Sequence, residues 1–448
     1  MDDAGARDME APDGSIEHYD AVVLGAGISG LVSASVLAAQ GCKRLLVADE
    51  YGHVGGNHID WSSGGYTFDI GSLIFQDDSP LLAHFPELLS LYLPIDPSWA
   101  RLNPQRKVTA YPISSRDDVL AAGAWVVMSI VASVIYARLF QRQMHNARDF
   151  ARYWIGSYLL HRTGLESYMK RFYGVPAEQI DIELARKRML WISENASLRA
   201  LVARWRKPTR SAPTNRQLAR PKEGFSVLYA AAVERLSANG VTFHLSAKLE
   251  GIEHAGQGFR VRLGGSTIEA RRLISTIPLE RAAALCGINS GGPDLETITL
   301  LSLYFSFSGE RGFRESILYN FSHEGAWKRL TVYSDFYGPA NGREYFAVEV
   351  IADHIGHSAA EAEADFRAHV RMNGLFEGDL RLEGSQMLTN AYPIYRNGAA
   401  ARAAALVDSL RKFGVESFGR QGAFNYQPTA RVSTHEAEAA LGAGRPAP

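Results

Sequence analysis

Residues 20–30 read DAVVLGAGISG, and this stretch decides the fold. An apolar run of strand length leads into three glycines, Gly25, Gly27 and Gly30, which open a helix that ends near Gly41. In such a pattern the first glycine permits a tight turn, the second lets the backbone approach a pyrophosphate, and the third lets helix and strand pack closely. The helix N-terminus offers N–H groups and a partial positive charge to that phosphate. The stretch therefore predicts a dinucleotide-binding strand–turn–helix unit.

A second strand and an acidic residue follow at the distance that this unit requires. Residues 44–48 read RLLVA, and Asp49 stands at their end, where a carboxylate can accept hydrogen bonds from an adenosine ribose. Glu50 is the competing ribose ligand, but the six-residue spacing to Gly55 favours Asp49. Ser29, in the first turn of the helix, is a further candidate contact to the cofactor. Both flanking strands and the acid stand at the expected distances along the sequence, which favours dinucleotide binding over a purely structural turn.

The residues after Asp49 distinguish one dinucleotide from another. Gly55-Gly56-Asn57 follow the acid, and an acid followed six residues later by Gly-Gly resembles the flavin amine oxidase superfamily. In that superfamily the second glycine pair lets the chain wrap the diphosphate and ribityl of FAD. The resemblance therefore implies FAD as the cofactor, with Gly56 and Asn57 among its contacts. Leu249 occupies the position where such flavoproteins pass a strand beside the adenine.

Composition narrows the class of protein. The chain has 448 residues, 46% of them hydrophobic, which suffices for a large core in two or three units. Its formal net charge of −1 gives no electrostatic footprint for nucleic acid, so a small-molecule substrate is expected. Cys42 and Cys286 lie far apart and lack metal-site spacing, which predicts no metal and a reducing compartment. With a polar, acidic beginning and no secretory pattern, the sequence predicts a cytoplasmic protein.

An uncharged apolar segment runs from residue 119 to 137. Its 19 residues are enough for a transmembrane helix, yet its neighbours on both sides must return to one FAD domain. The sequence therefore predicts a buried or half-buried helix rather than a span. Peripheral contact with the inner membrane is the alternative, because Arg138 and Arg142 follow directly and suit an anionic lipid surface as well as a solvated helix end.

The order of elements predicts an α/β fold in which a Rossmann-type FAD-binding domain is discontinuous. Strands and helices typical of the cofactor domain are separated by a helical insertion and by a β-rich stretch that suggests an antiparallel substrate sheet. The predicted segments are a disordered lead at 1–17, FAD-binding parts at 18–95, 221–290 and 386–448, a helical substrate or membrane-facing insertion at 96–220, and an antiparallel-sheet substrate domain at 291–385.

The last part of the chain suggests one branch of these flavoproteins. Residues 391–395 read AYPIY, and residues 415–426 read VESFGRQGAFNY. A Gly-Arg-x-Gly-x-aromatic-x-Tyr string after a Tyr-Pro segment resembles the UDP-galactopyranose mutases and their bacterial relatives. Further matches are the segments 111–113, 172–176 and 328–331, which read YPI, FYGVP and KRLT. The resemblance extends over most of residues 18–435 and is strongest in the FAD elements.

The resemblance to the mutases implies a chemistry and a set of residues. In those enzymes reduced FAD uses N5 as a nucleophile on the anomeric carbon of a nucleotide-sugar, so that a pyranose becomes a furanose for glycan biosynthesis. Tyr392 and Tyr426 match tyrosines that contact the diphosphate, and Arg329 matches an arginine that reaches the phosphates. Arg186 lies near a further phosphate arginine, although a charged helix face explains it equally well. The resemblance also assigns flavin contacts, namely Gly419 and Arg420.

Departures from the mutase pattern keep a rival hypothesis open. Leu73 stands where the mutases carry a histidine against the flavin ring, so strict UDP-galactopyranose specificity is in doubt. The rival is an FAD-dependent oxidoreductase of the amine oxidase or protoporphyrinogen oxidase type, acting on an apolar or amine substrate. The third hypothesis is non-enzymatic: FAD only stabilises a protein that acts by binding a partner. The apolar segment 119–137 and Leu73 favour the rival, whereas Arg420 and the tyrosines favour the mutase-like reading.

Overall fold

The computed structural model describes residues 16–71, 74–113, 115–188, 215–289, 291–292 and 295–442. Its strands, in chain order, are β1 Glu17–Leu24, β2 Leu45–Ala48, β3 Ile59–Ser63, β4 Tyr66–Ile70, β5 Phe75–Gln76, β6 Leu93–Ile95, β7 Trp99–Leu102, β8 Val108–Ala110, β9 Gln217–Ala219, β10 Val241–His244, β11 Leu249–Ala255, β12 Gly258–Leu263, β13 Ser266–Ser275, β14 Thr297–Arg311, β15 Ile317–Asn320, β16 Trp327–Val332, β17 Glu344–Ile351, β18 Phe376–Pro393 and β19 Val415–Ser417.

The helices lie between these strands. In chain order they are α1 Ile28–Ala39, α2 Leu81–His84, α3 Leu88–Leu91, α4 Ala124–Phe140, α5 Ala147–Arg162, α6 Leu165–Tyr173, α7 Ile182–Arg188, α8 Phe225–Ala238, α9 Leu279–Leu285, α10 Ser334–Tyr337, α11 Ala359–Met372, α12 Ala399–Phe413, α13 Gly419–Gly422 and α14 Ala430–Ala440. Short 3₁₀ turns cover Leu120–Ala122, Ala177–Gln179 and Ala352–His354, and a π-helical turn covers Ser115–Val119.

The first sheet has the strand order β10-β2-β1-β13-β12-β11, with β19 beside β13. Strand β1 is central and pairs in parallel with β2 and β13, so that Val22 lies beside Leu46 and Leu273. Their side chains are fully or almost fully buried, as expected for parallel strands covered on both faces. This sheet gathers strands from residues 17–48, 241–275 and 415–417, so the predicted discontinuous Rossmann-type domain is confirmed.

The second sheet has the order β18-β14-β17-β16-β15-β7-β8 and is antiparallel except where β15 meets β7. Two predicted boundaries were wrong here. Strand β18 runs as one element across the predicted boundary at residue 385, because it pairs with β14 on both sides of that residue, with two shifts in register. Strands β7 and β8, which fall in the predicted helical insertion, complete the edge of this sheet. The first sheet likewise starts earlier than predicted, at Glu17.

The insertion between the sheets is helical from α4 to α7. The predicted 119–137 helix appears as α4, whose regular part is shifted towards the C-terminus because Gly123, with φ of 90°, separates it from the preceding turns. Across the described part of the chain, no helix combines the length and the apolar character needed to cross a bilayer. Helices α5 and α6 follow, and α6 packs against strands β16 and β17 of the second sheet. The insertion thus forms one wall above that sheet.

Candidate flavin and substrate site

Glycines at the β1–α1 turn bring backbone segments too close together for side chains. Gly25 has φ of 103°, and a Cβ atom there would lie 2.3 Å from Oγ1 of Thr276. A Cβ on Gly30 would lie 1.8 Å from the carbonyl oxygen of Gly25. Gly27 faces Gly56, whose Cα would lie 3.7 Å from a Cβ on Gly27. The contacts at Gly25 and Gly30 exclude any larger residue, whereas a Cβ on Gly27 would only fill space beside Gly56.

The N-terminus of α1 is open to a ligand. No side chain caps it, and its first turn contains no acidic residue that could occupy the position of an anion. The adjacent cavity of about 320 Å³ is called the dinucleotide cradle below. Its lining residues are Gly25, Gly27, Ile28, Ser29, Asp49, Glu50, Tyr51, Gly55, Gly56, Asn57, His58, Thr276, Ile277, Pro278, Thr389, Asn390, Arg420, Gln421, Gln427, Ala430 and Ser433. Uncapped N–H groups beside a glycine-lined cavity fit the diphosphate of FAD.

The two candidate ribose ligands differ in their environment. Asp49 is buried, and its carboxylate accepts hydrogen bonds from the backbone N–H groups of Ala26 at 2.6 Å and Tyr51 at 2.8 Å. Burial raises the pKa of this carboxyl group, while the two N–H groups oppose that shift. Glu50 instead pairs with Arg281, whose Nη2 lies 2.7 Å from Oε1 of Glu50. Both acids line the cradle, so the choice between them as the ribose ligand stays a prediction.

Two sequence-predicted cofactor residues lie behind the cradle rather than in its lining. Leu249 is buried, and its carbonyl oxygen accepts a hydrogen bond from Arg281 at 2.7 Å. Gly419 is buried in α13, and a Cβ there would lie 3.0 Å from Oγ of Ser29. Neither residue lines the cradle and the Leu249 side chain packs in the core, so their contact with FAD stays a prediction. Gly30 likewise acts through close packing and lies outside the lining of the cradle.

Arg420 joins three adjacent cavities. It lines the dinucleotide cradle, an aromatic cavity of about 190 Å³ and a third cavity of about 80 Å³. This third cavity, called the ring cavity below, is lined by Asn57, His58, Ile70, Gly71, Ile74, Phe75, Tyr92, Phe225, Leu300, Leu388, Ala391, Tyr392, Arg420, Pro428, Thr429 and Ala430. The Nη2 atom of Arg420 donates to the carbonyl oxygen of Gln427 at 2.6 Å, and its guanidinium lies 5.3 Å from the ring centroid of Tyr392. The mutase-like motif thus places a fixed positive charge between the cofactor side and the substrate side.

His58 was missed by the sequence analysis. It lines the cradle and the ring cavity, contacts the Tyr229 hydroxyl through Nδ1, and stacks on Phe225 with ring centroids 5.2 Å apart. Burial, together with the nearby Arg420 guanidinium, lowers the pKa of His58 to about 4. The imidazole is therefore neutral at physiological pH. Its only sequence signal was its position directly after Gly55-Gly56-Asn57.

The aromatic cavity brings together three of the predicted catalytic residues. Arg329 on β16, Tyr392 on β18 and Tyr426 after α13 all line it, so the residues that the resemblance assigns to one diphosphate share one cavity, while their catalytic roles stay predictions. Its lining residues are Tyr111, Tyr168, Phe172, Tyr173, Ile298, Tyr319, Lys328, Arg329, Glu349, Tyr392, Pro393, Tyr395, Arg420, Tyr426, Gln427 and Pro428. Tyrosine rings make up much of the lining of the aromatic cavity, and they come from both the helical insertion and the second sheet.

Glu349 on β17 holds two cations in the cavity. Its Oε1 accepts a hydrogen bond from Nε of Arg329 at 2.9 Å, and its Oε2 lies 2.9 Å from Nζ of Lys328. Arg329 also donates from Nη2 to the carbonyl oxygen of Gly71 at 2.7 Å. Burial alone would raise the Glu349 pKa, but Arg329 and Lys328 hold it below its usual value. The carboxylate is thus ionised, and it keeps both cations in place.

Glu349 and Lys328 were also missed by the sequence analysis. The signal for Glu349 was an acid in the buried, otherwise apolar part of strand β17; the other acid of the strand, Glu344, stands at its partly exposed first position. A lone carboxylate in such a strand requires a buried cationic partner. Lys328 is 4% exposed, and its Nζ lies 5.0 Å from the ring centroid of Tyr392. That partner could be identified only after the pairing of β16 with β17 was known.

The remaining predicted residues are not in the cavity. Arg186 is exposed on α7 and pairs with Glu183 at 2.7 Å, in an i,i+3 arrangement. It lines neither the cradle nor the aromatic cavity, so the structure favours the charged helix face over the phosphate contact that the sequence also allowed. Leu73, the position opposite the flavin ring in the resemblance, lies outside the described residues.

Comparison with known proteins supports the flavin assignment. The family model for an NAD(P)-binding Rossmann-like domain matches residues 23–87. The model for flavin containing amine oxidoreductase matches residues 178–294. The chain is similar to prolycopene isomerase 2, chloroplastic, of an Oncidium hybrid cultivar, with 47% identity over 58 residues. That alignment covers 13% of this chain and 10% of the isomerase, so the chain matches only a small part of that protein's length.

Two solved structures share the fold over nearly the whole chain. Reduced UDP-galactopyranose mutase superposes with a TM-score of 0.78 at 15% identity, covering 94% of this chain and 93% of the mutase. A protein assigned as a protoporphyrinogen oxidase from Exiguobacterium sp. 255-15 superposes with a TM-score of 0.71 at 14% identity, covering 96% and 98%. These two matches show the fold that the chain shares, and the match to the flavin containing amine oxidoreductase model, with the cradle, indicates an FAD-dependent enzyme.

Proposed function

We propose that this flavoenzyme isomerises a sugar carried on a nucleoside diphosphate, with its FAD in the reduced state. One observation carries the proposal: the aromatic cavity has an excess of positive charge. Lys328, Arg329 and Arg420 line it, and Glu349 is the carboxylate that faces them among the described lining residues. Three cations against one anion leave two positive charges in a half-enclosed space, which suits a diphosphate.

The roles of the residues follow from this charge pattern. Arg329 is held by Glu349 and by the Gly71 carbonyl, so its guanidinium is fixed before a substrate arrives. Lys328 lies between the Tyr392 ring and Glu349 and adds a second cation against a departing diphosphate. The hydroxyls of Tyr392 and Tyr426 can donate hydrogen bonds to phosphate oxygens. When bound and reduced, FAD supplies the nucleophilic nitrogen for the anomeric carbon.

The aromatic wall serves the same reaction by restricting water. Tyr111 stacks on Tyr319 with ring centroids 4.3 Å apart, and Tyr168 stacks on Phe321 at 4.2 Å. Burial raises the pKa values of Tyr111 and Tyr168, which keeps both hydroxyls neutral and able to donate. A partly dry cavity strengthens each cation–phosphate contact, since the local dielectric constant is low.

An oxidoreductase acting on an apolar substrate is the second candidate, because the same wall is rich in aromatic rings. The charge pattern argues against an amine, whose ammonium form would meet Lys328, Arg329 and Arg420. A neutral apolar substrate would leave the excess positive charge unused. The nucleotide-sugar proposal accounts for both features, the rings and the cations.

Binding of UDP to the purified holoenzyme tests the proposal. Calorimetry with wild-type protein is expected to show one site, and Arg329→Lys is expected to weaken binding by about tenfold or more, since a lysine keeps the charge but loses the hydrogen bonds to Glu349 and Gly71 that fix the guanidinium. Arg186→Lys is the matched control, because that arginine is exposed and lies away from the cavity. Absence of UDP binding, or equal binding by both variants, would contradict the proposal.

A further inference from the structure

Helix α4 is apolar on two opposite sides, but the protein covers only one of them. Ile130 and Ala137 are buried, and Val126 and Val134 pack against the same core. The other side faces outward with seven large apolar side chains at helical spacing. These exposed residues are Trp125 at 80%, Met128 at 53%, Val131 at 50%, Ile135 at 54%, Tyr136 at 55%, Leu139 at 55% and Phe140 at 72%. A helix that is hydrophobic all round belongs in surroundings that are apolar on both sides.

Basic residues follow this outer face. Residues 119–148 contain no aspartate or glutamate; Arg138 lies in the last turn of α4 and Arg142 and His145 come after it, whereas Arg148 is paired with Glu166 and Glu178. Arg138 lies over the rings of Tyr153 and Trp154 on α5, which holds it on the protein side. Arg142 is exposed, and its Nε donates to the carbonyl oxygen of Arg138 at 3.0 Å. A basic end next to an apolar face matches the chemistry of an anionic lipid surface.

The length and the aromatic residues of α4 suit a helix that lies along a membrane surface rather than across it. Its 17 residues span about 25 Å at about 1.5 Å each, which is shorter than the roughly 20 residues of a spanning helix. Trp125 lies at one end of the helix and Tyr136 lies near the other end. Aromatic rings with a polar atom prefer the boundary between headgroups and acyl chains.

We infer that the outer face of α4 docks flat onto a membrane surface that carries anionic lipid. A second copy of the chain fits less well, because residues 119–148 of that copy offer no carboxylate to pair with the exposed Arg142. A lipid surface supplies both an apolar layer and phosphate groups. The docked helix packs on α5, and α5 packs on α6, whose Tyr168 and Tyr173 line the aromatic cavity. The membrane therefore lies two helices from the site.

Co-sedimentation of the holoenzyme with vesicles tests this inference. The vesicles are phosphatidylcholine alone or phosphatidylcholine with phosphatidylglycerol. The variant Trp125→Ser/Ile135→Ser/Phe140→Ser removes three exposed side chains, and its vesicle binding is expected to fall by at least about tenfold. The control Leu89→Ser/Met372→Ser/Val432→Ser removes three exposed apolar side chains from other surfaces. Flavin absorbance confirms that both triple variants remain folded.

The lipid and salt dependence separates the alternatives. Docking to the anionic vesicles, weakened by Arg142→Glu and by added salt, supports the inference. Failure to bind either kind of vesicle overturns it. Self-association in solution that the Trp125→Ser/Ile135→Ser/Phe140→Ser variant abolishes, without vesicle binding, assigns the face to a second copy and also overturns it. Loss of vesicle binding by both triple variants alike shows that α4 is not the docking element.

Discussion

The dinucleotide cradle and the aromatic cavity adjoin at Arg420, yet they are built in different ways. The cradle depends on backbone: its closest approaches involve glycines within residues 25–30 and at Gly55-Gly56. The aromatic cavity depends on side chains from widely separated segments, including β16, β17, β18 and α6. In the cradle, where backbone segments are in close contact, almost no added atom is tolerated. In the aromatic cavity, binding depends on several side chains, so the loss of one removes only part of it. The difference predicts how strongly each region responds to substitution.

The largest effect is expected in the cradle. Gly25→Val places a side chain at φ of 103° and within 2.3 Å of Thr276 Oγ1, so the turn must move and purified protein is expected to lose its FAD. The control Gly41→Val shares a φ of 92°, but a Cβ there meets no atom within 4 Å. Flavin absorbance per protein measures the outcome. Retention of FAD by Gly25→Val would contradict the claim that the cradle tolerates no added side chain, because its backbone would then have moved to accept valine.

A second effect is expected at the centre of the aromatic cavity. Glu349→Gln leaves Lys328 and Arg329 buried without their carboxylate, which is expected to lower the free energy of unfolding by about 3–5 kcal/mol. Glu296→Gln is the control, because Glu296 pairs with Arg396 at an exposed site, where a loss of at most about 1 kcal/mol is expected. Denaturant unfolding of both variants measures the difference. Equal losses of unfolding free energy would show that the buried pairs of Glu349 stabilise the protein no more than an exposed ion pair does.

These two regions also differ in what their sequence reveals. The cradle could be predicted because its glycines, strand and acid lie within one short stretch, and the packing at Gly25 and Gly30 agrees. Arg329, Tyr392 and Tyr426 were placed only through resemblance, and Glu349 and Lys328 were missed because their partners come from strand pairing. Strands β7 and β8 were missed since three- or four-residue strands carry too little periodicity. Arg186 had only proximity in sequence in its favour.

His58, which lies near Arg420 where the two regions meet, predicts that the stability of the protein depends on pH. His58 has a pKa of about 4 in the folded protein, below its ordinary value of about 6.5, because it is buried beside Arg420. The unfolded chain therefore binds a proton first as the pH falls. Stability is expected to be lost between about pH 6.5 and pH 4, by up to about 3 kcal/mol.

The variant His58→Gln tests this dependence, because an amide cannot titrate in that range. Its free energy of unfolding is expected to change less than that of the wild type between the same two pH values. The exposed His435, changed to glutamine, is the control and is expected to leave the wild-type profile in place. An identical acid profile for His58→Gln and wild type would show that this imidazole is not held neutral by the fold.

The smallest effect is expected from one hydroxyl of the aromatic cavity. Tyr426→Phe keeps the ring but removes a donor to the diphosphate, and UDP binding is expected to weaken by about 1 kcal/mol. Tyr136→Phe on α4 is the control, since that ring is exposed and away from the cavity. Calorimetric titration of the holoenzyme compares the two. A loss as large as that for Arg329→Lys would mean that the hydroxyls, not the cations, dominate binding.

The most direct measurement incubates dithionite-reduced holoenzyme with UDP-galactopyranose and follows the sugar ring form by NMR. The proposed function predicts pyranose–furanose exchange without net redox change, with the reduced state lasting through many turnovers. The rival function predicts no exchange; instead, the oxidised enzyme would bleach with an apolar or amine substrate and recover its colour in oxygen. Bleaching and recovery without exchange, from a protein that holds FAD in its cradle, would contradict the assignment of the aromatic cavity to a sugar diphosphate.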